Sequence, residues 1–152
     1  HLPEKHFLDA GSGNGVVCMY AVASGKFASA AGIEINPHAH TMAEAVRKAL
    51  ETVIPSLGRV TFMQGDATDI ASFTAAWRRA TIVYSWNSVW PAASVNRLMD
   101  AVNAIRPPFL ITGSPSRASG AFEFGLDERA YEQMAEIKQG FHGGHASHKA
   151  WV

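Results

Sequence analysis

A single cysteine, Cys18, in 152 residues excludes an internal disulfide. No apolar run is long enough to cross a bilayer, and nothing at the start reads as a signal peptide. Neither sign of charge is in excess, with 13 Lys and Arg against 13 Asp and Glu. That balance argues against strong, non-specific nucleic-acid binding by this segment alone, which depends on phosphate neutralisation. Internal repeats and low-complexity linkers are also missing. What remains, at 47% hydrophobic residues, is one ordinary domain with a sizeable core, spanning 1–152. The chain opens at His1 without a methionine and stops at Val152 inside an apolar run. It therefore reads as a catalytic core trimmed at both ends.

The segment Phe7-Leu8-Asp9-Ala10-Gly11-Ser12-Gly13-Asn14-Gly15 is a short strand running into an acidic, triple-glycine turn. A second apolar run, Ala30-Ala31-Gly32-Ile33-Glu34, ends on a carboxylate. Strand, glycine turn, helix and acid on the next strand together make a nucleotide-type cofactor site. A dinucleotide fingerprint needs G-x-G-x-x-G, so that a pyrophosphate can rest on the helix N-terminus. Here the spacing is G-x-G-x-G, and Asp9 stands where a pyrophosphate would be repelled. S-adenosylmethionine has no phosphate; it carries an ammonium and a sulfonium, both compatible with a carboxylate. The residues favour that cofactor over NAD.

Punctuation along the chain predicts alternating strands and helices. Strands are expected at 6–9, 30–34, 60–64, 81–85 and 109–112. Helices are expected at about 16–24, from Pro37 to before Pro55, at 70–79 and at 94–105, with Ser94 as an N-cap. Met42, Ala45, Val46, Ala49, Leu50 and Val53 repeat at helical spacing and predict one buried stripe. Five strands alternating with helices imply an α/β, Rossmann-like, doubly wound and mostly parallel sheet. After Gly113 the pattern predicts a polar loop at 114–120, a helical turn at 127–132 and a closing pair of antiparallel strands at 135–138 and 146–152. Cys18 falls in the first apolar helix and reads as a buried structural thiol.

Ligands of doubly wound sheets sit beyond the carboxyl ends of the strands. Asp9, Glu34 and Asp66 end the first three strands and should line one edge. Glu34 reads as the acceptor for both ribose hydroxyls, or as a solvated strand end. Asp66 reads as the acceptor for the adenine amino group, or as a helix N-cap. Asp9 either orders the glycine loop or meets the methionine ammonium through water.

In this order, the loop, Gly32-Ile33-Glu34, Gln64-Gly65-Asp66 and Ile82-Val83-Tyr84-Ser85-Trp86-Asn87-Ser88-Val89-Trp90 resemble class I S-adenosylmethionine-dependent methyltransferases. Within that class they are most similar to the disruptor-of-telomeric-silencing family, the non-SET histone lysine methyltransferases, over about 6–116. The resemblance implies that Asp9, Gly11, Ser12, Gly13, Gly15, Glu34, Asp66 and Asn87 bind cofactor. It also implies that Asn87 and Trp90 are catalytic, with Trp90, Phe141 and His148 lining a lysine channel. The implied partner is a protein substrate of histone or nucleosome type, and the implied compartment is nuclear, or cytoplasmic for another substrate. Two departures stand out. Ala67 replaces the aromatic that stacks on adenine, and Trp86 replaces a polar residue. The family's upstream helical region and basic extensions lie outside this chain.

A lysine acceptor must lose its proton, and a narrow apolar channel lowers its pKa by disfavouring the ammonium. Tyr84, Trp86 and Trp90 could wall such a channel, although Tyr84 and Trp86 also read as packing residues on an alternating strand. No general base is evident, so solvent is expected to take the proton. Nucleic-acid amino methyltransferases carry an Asn/Asp-Pro-Pro-aromatic motif, whereas Asn87 is followed by Ser88-Val89. His142, His145 and His148 lack Cys or acidic partners, and no metal is expected. The alternatives are a methyltransferase for another acceptor (a non-histone protein lysine, RNA or a small molecule) and a non-catalytic cofactor-binding module. The Glu34-Ile35-Asn36-Pro37 run is also similar to mitochondrial-type lysine methyltransferases of small membrane proteins.

Overall fold

The structure, a computed structural model, describes residues 4–113, 120–141 and 144–152. Its strands are β1 His6–Ala10, β2 Ser29–Glu34, β3 Val60–Gln64, β4 Ile82–Ser85, β5 Phe109–Gly113, β6 Gln133–Phe141 and β7 Gly144–Trp151. They form one sheet in the order β3-β2-β1-β4-β5-β7-β6. The first five are parallel, while β7 runs antiparallel to both β5 and β6. This is the doubly wound architecture that the alternation predicts, closed by the antiparallel pair. Of the loop expected at 114–120, residues 114–119 lie outside the described residues, and Gly120 opens a short 3₁₀ turn.

Strand order reverses between β1 and β4, which pair from Phe7 and Ile82 as far as Asp9 and Tyr84. Beyond that point the buried Ser85 hydroxyl donates to the Ala10 carbonyl at 2.8 Å and holds the two strand ends together. The crevice that opens here is where a doubly wound sheet receives a ligand.

The helices are α1 Val16–Ala23, α2 Pro37–Glu51, α3 Ile70–Arg79 and α4 Ala92–Ile105. One apolar cluster joins α1 and Ala43 of α2 to Phe7, Ala30, Val60 and Phe62. A second joins α3 and α4 to Leu8, Ile33, Val83 and Leu110. Cys18 is fully buried in the first, where burial pushes its thiol well above the usual range. Such a thiol is a packing group, not a nucleophile. Tyr84 stacks on Phe7 with ring centroids 6.0 Å apart, and so belongs to the packing of this side.

Helix starts follow local chemistry, with two corrections. Asn36 caps α2, its side chain accepting from the backbone of His38 and Ala39, and Pro37 takes the first turn. Asp69 caps α3 through Ser72, so Asp66 is not the cap of that helix. Ser94 does not cap α4 either. That helix begins at Ala92, because the Pro91 carbonyl already accepts from Ser94 and Val95.

A further correction concerns α2. The predicted apolar stripe faces solvent: Met42 is 46% exposed, Leu50 39% and Val53 73%. The helix instead buries Ala43 and half-buries Glu44, Arg47 and Glu51, with Arg47 bonded to both acids at 3.1 and 2.7 Å. Shape decides this. The helix lies so close to the glycine loop that a Cβ on Gly15 would come within 3.0 Å of the Ala43 methyl. A methionine or valine has no room in that place.

Gly15 also has φ +78° and would drive a Cβ into the Phe62 ring. Left-handed strain and overpacking should together cost Gly15→Ala about 2–4 kcal/mol. The expected result is a lower urea midpoint at unchanged slope; an unchanged midpoint would show that Phe62 yields.

Candidate active site

The glycine loop connects β1 to α1 and is pinned from β2. Gly11 and Ser12 donate their backbone N–H groups to the Ile33 carbonyl at 2.9 and 3.0 Å. Gly13 N–H donates to Glu34 Oε2 at 2.8 Å, and Asn36 N–H donates to Glu34 Oε1 at 2.8 Å. Glu34 therefore organises the loop, which was one of the two roles expected of Asp9. Each of its oxygens retains a second lone pair, enough to accept from a vicinal diol. The acid is held in place before any ligand arrives.

Asp9 sits behind the loop and is 2% exposed. Burial raises its pKa to about 7, with the neighbouring Glu34 charge adding to the effect. Among the described residues its Oδ1 has no hydrogen-bond partner. Ser12 Oγ and Asn87 Nδ2 are buried and unpartnered in the same way. Each such orphan costs about 1–3 kcal/mol unless something supplies its partner.

Asn87 follows β4 and is 1% exposed. Thr112, at the end of β5, donates to its Oδ1 at 3.0 Å. That bond commits the amide's oxygen and leaves the Nδ2 donor for a ligand. Thr112 escaped the sequence reading, although its position at a strand's carboxyl end was the available signal.

Asp66 follows β3. Its Oδ1 accepts from the Thr68 N–H at 2.9 Å and the Thr68 hydroxyl at 2.7 Å, closing the turn before α3. Its Oδ2 lies 3.7 Å from Arg97 on α4, a cation that no sequence motif announced. Asp66, Gly11, Ile35, Ala67, Trp90 and Arg97 share one cavity of about 180 Å³.

The structure thus gathers Asp9 at the end of β1, Gly11, Ser12, Gly13 and Gly15 in the loop and Glu34 at the end of β2, with the Trp90 ring against Gly11 and Asp66 lining the same cavity. Asn87 stands at the adjoining strand end. By backbone, Phe141 ends β6 and His148 lies opposite Gly113 of β5. Their side chains lie outside what the structure describes, as does His142. Among the described residues there is no cluster of His, Cys, Asp or Glu suited to a metal, and no helix long and apolar enough to cross a membrane.

The donor set fits S-adenosylmethionine. An unpartnered carboxylate oxygen suits an ammonium, an unpartnered amide N–H suits a carboxylate, Glu34 suits a ribose and Asp66 Oδ2 suits an exocyclic amine. A pyrophosphate in the same place would be opposed by Asp9 and Glu34. Fold and site together define the class: S-adenosylmethionine-dependent methyltransferases of class I.

The chain belongs to the histone methylation protein DOT1 family, whose model matches residues 2–139. No curated protein matches it. Among solved structures it is similar to Streptococcus pneumoniae Sp1610, a putative tRNA (m1A22) methyltransferase, with TM-score 0.72 and 14% identity over 97% of this chain and 63% of that one. The B. subtilis m1A22 tRNA methyltransferase TrmK gives TM-score 0.73 and 18% identity over 96% and 58%. The methyltransferase domain of bacterial CtHen1 gives TM-score 0.76 and 12% identity over 97% and 90%. This chain therefore spans about three-fifths of the length of the first two proteins. At such identities the likeness establishes the shared fold.

Proposed function

We propose that this chain is the catalytic core of a methyltransferase that uses S-adenosylmethionine to methylate the side-chain amine of a protein lysine, of histone type. The observation that carries the methyl-transfer reading is the set of buried, unpartnered atoms Asp9 Oδ1 and Asn87 Nδ2 at the carboxyl rim. Membership of the DOT1 family supports the lysine acceptor, and a nuclear location would follow from a histone substrate.

In this reading the cofactor supplies a methyl group on a sulfonium, activated without a metal. The chain's part is positioning, which can supply effective molarities of about 10⁵–10⁸ M. Glu34 and the loop hold the sugar, Asp66 the base, and Asp9 with Asn87 the amino-acid end. The Thr112 hydroxyl keeps Asn87 turned toward the ligand. Burial of the acceptor lysine beside the methyl group would disfavour its ammonium and so favour the neutral, nucleophilic amine.

A second acceptor has a specific observation behind it: the similar solved structures include one tRNA (m1A22) methyltransferase and one described as a putative tRNA (m1A22) methyltransferase. The test is labelled S-adenosylmethionine offered with nucleosomes, free histones, total tRNA and a metabolite panel. Label in a lysine of histone is the expected result. Label in tRNA alone would overturn the lysine acceptor while keeping methyl transfer. Absence of any binding of S-adenosylhomocysteine in calorimetry would remove the cofactor reading altogether.

A further inference from the structure

We propose that Trp90 is the aromatic on which the cofactor's adenine rests, in place of a residue at position 67; this depends on the S-adenosylmethionine reading above. The argument starts from Ala67. Its methyl is 5% exposed and belongs to the apolar cluster on the α3 side, and its carbonyl accepts from the fully buried Trp77 indole at 3.1 Å. Trp77 has taken the space beneath this turn, and alanine presents no ring to the cavity. An adenine bound through Asp66 would gain further affinity from an aromatic plane to stack on.

Trp90 supplies that plane. It borders the same cavity as Asp66, Ala67 and Ile35, and among the described residues it is the one aromatic in that wall. Three contacts hold it there. Its backbone N–H donates to the Asn87 carbonyl at 3.0 Å, Pro91 behind it starts α4, and its ring lies against the glycine loop. A Cβ on Gly11 would stand 2.5 Å from the ring's Cζ2, so the bare glycine is what lets the indole sit so close. The ring is thereby committed to the nucleoside side of the site, rather than to an acceptor channel.

The experiment compares two ligands, S-adenosylhomocysteine and 5′-methylthioadenosine, the second of which keeps the adenine and sugar but lacks the amino acid. Trp90→Ala is expected to weaken both by the same factor, roughly ten- to a hundredfold, the scale of one lost base–aromatic stack. Trp90→Phe should restore most of the affinity for both, and it guards against a merely misfolded alanine variant. Ligand-induced quenching of tryptophan fluorescence should vanish in Trp90→Phe although calorimetry still reports binding. Two results would overturn the proposal: a loss confined to S-adenosylhomocysteine, which would put Trp90 at the methionine end, or unchanged affinity for both ligands. If the wild-type chain binds neither ligand, the cofactor reading fails first and this proposal falls with it.

Discussion

Glu34→Ala is expected to weaken S-adenosylhomocysteine binding by at least about a hundredfold, measured by calorimetry. Glu34 accepts from Gly13 on one oxygen and from Asn36 on the other, both at 2.8 Å. Hydrogen bonds to a charged group contribute about 1.5–3 kcal/mol each, and a hundredfold in affinity corresponds to about 2.7 kcal/mol. Loss of the loop's anchor and loss of a ribose ligand thus act together. The sharper variant is Glu34→Gln. Both carboxylate oxygens face backbone donors, so an amide must set its NH₂ against one of two N–H groups. Glutamine should therefore behave nearly as badly as alanine, despite its matching shape. Wild-type affinity in Glu34→Gln would show that the carboxylate is a bystander.

Asp9→Asn should have opposite effects on stability and on binding. The folded pKa of Asp9 is raised to about 7, chiefly by burial and then by the charge of Glu34, from an ordinary 3.8. Between those values the native state holds a proton that the unfolded chain has released. Stability must then fall as pH rises from about 4 to 7 and level off above, by at most roughly 4 kcal/mol. Asparagine removes that slope, so the variant should unfold at higher urea than the wild type at pH 8. The same substitution removes the anion offered to the cofactor's ammonium. Wild-type affinity for S-adenosylhomocysteine should rise roughly tenfold from pH 6 to 8 as Asp9 ionises, following the fraction of a group titrating near 7. Asp9→Asn should show weak binding that no longer depends on pH. A variant less stable than wild type at pH 8, or one that keeps the wild-type pH profile, would show that Asp9 is not the titrating acid.

The legible parts were those written in local chemistry. Gly15 and Asn36-Pro37 mark helix starts whose geometry belongs to a few neighbouring residues, and both helices begin where that chemistry places them. Strand ends were legible for the same reason, which put Glu34 and Asp66 on one rim. Ser94 misled because serine suits a cap wherever it stands, and the preceding Pro91 carbonyl had already started the helix. Thr112 and Arg97 carry no motif. Their roles arise only because β5 ends beside Asn87 and α4 passes Asp66.

By itself the amino-acid order determined the alternation of strands and helices, the acid–glycine turn and the three carboxylates at strand ends. Periodicity and turn chemistry act over a few residues, so they survive in a linear reading. Tertiary structure alone decided which side of α2 meets the sheet, which polar atoms are stranded without partners, and on which side of the cavity Trp90 stands. A helical stripe has no direction until a neighbour's shape accepts or refuses it. Desolvation, likewise, belongs to the surroundings of a carboxylate and not to the residue itself.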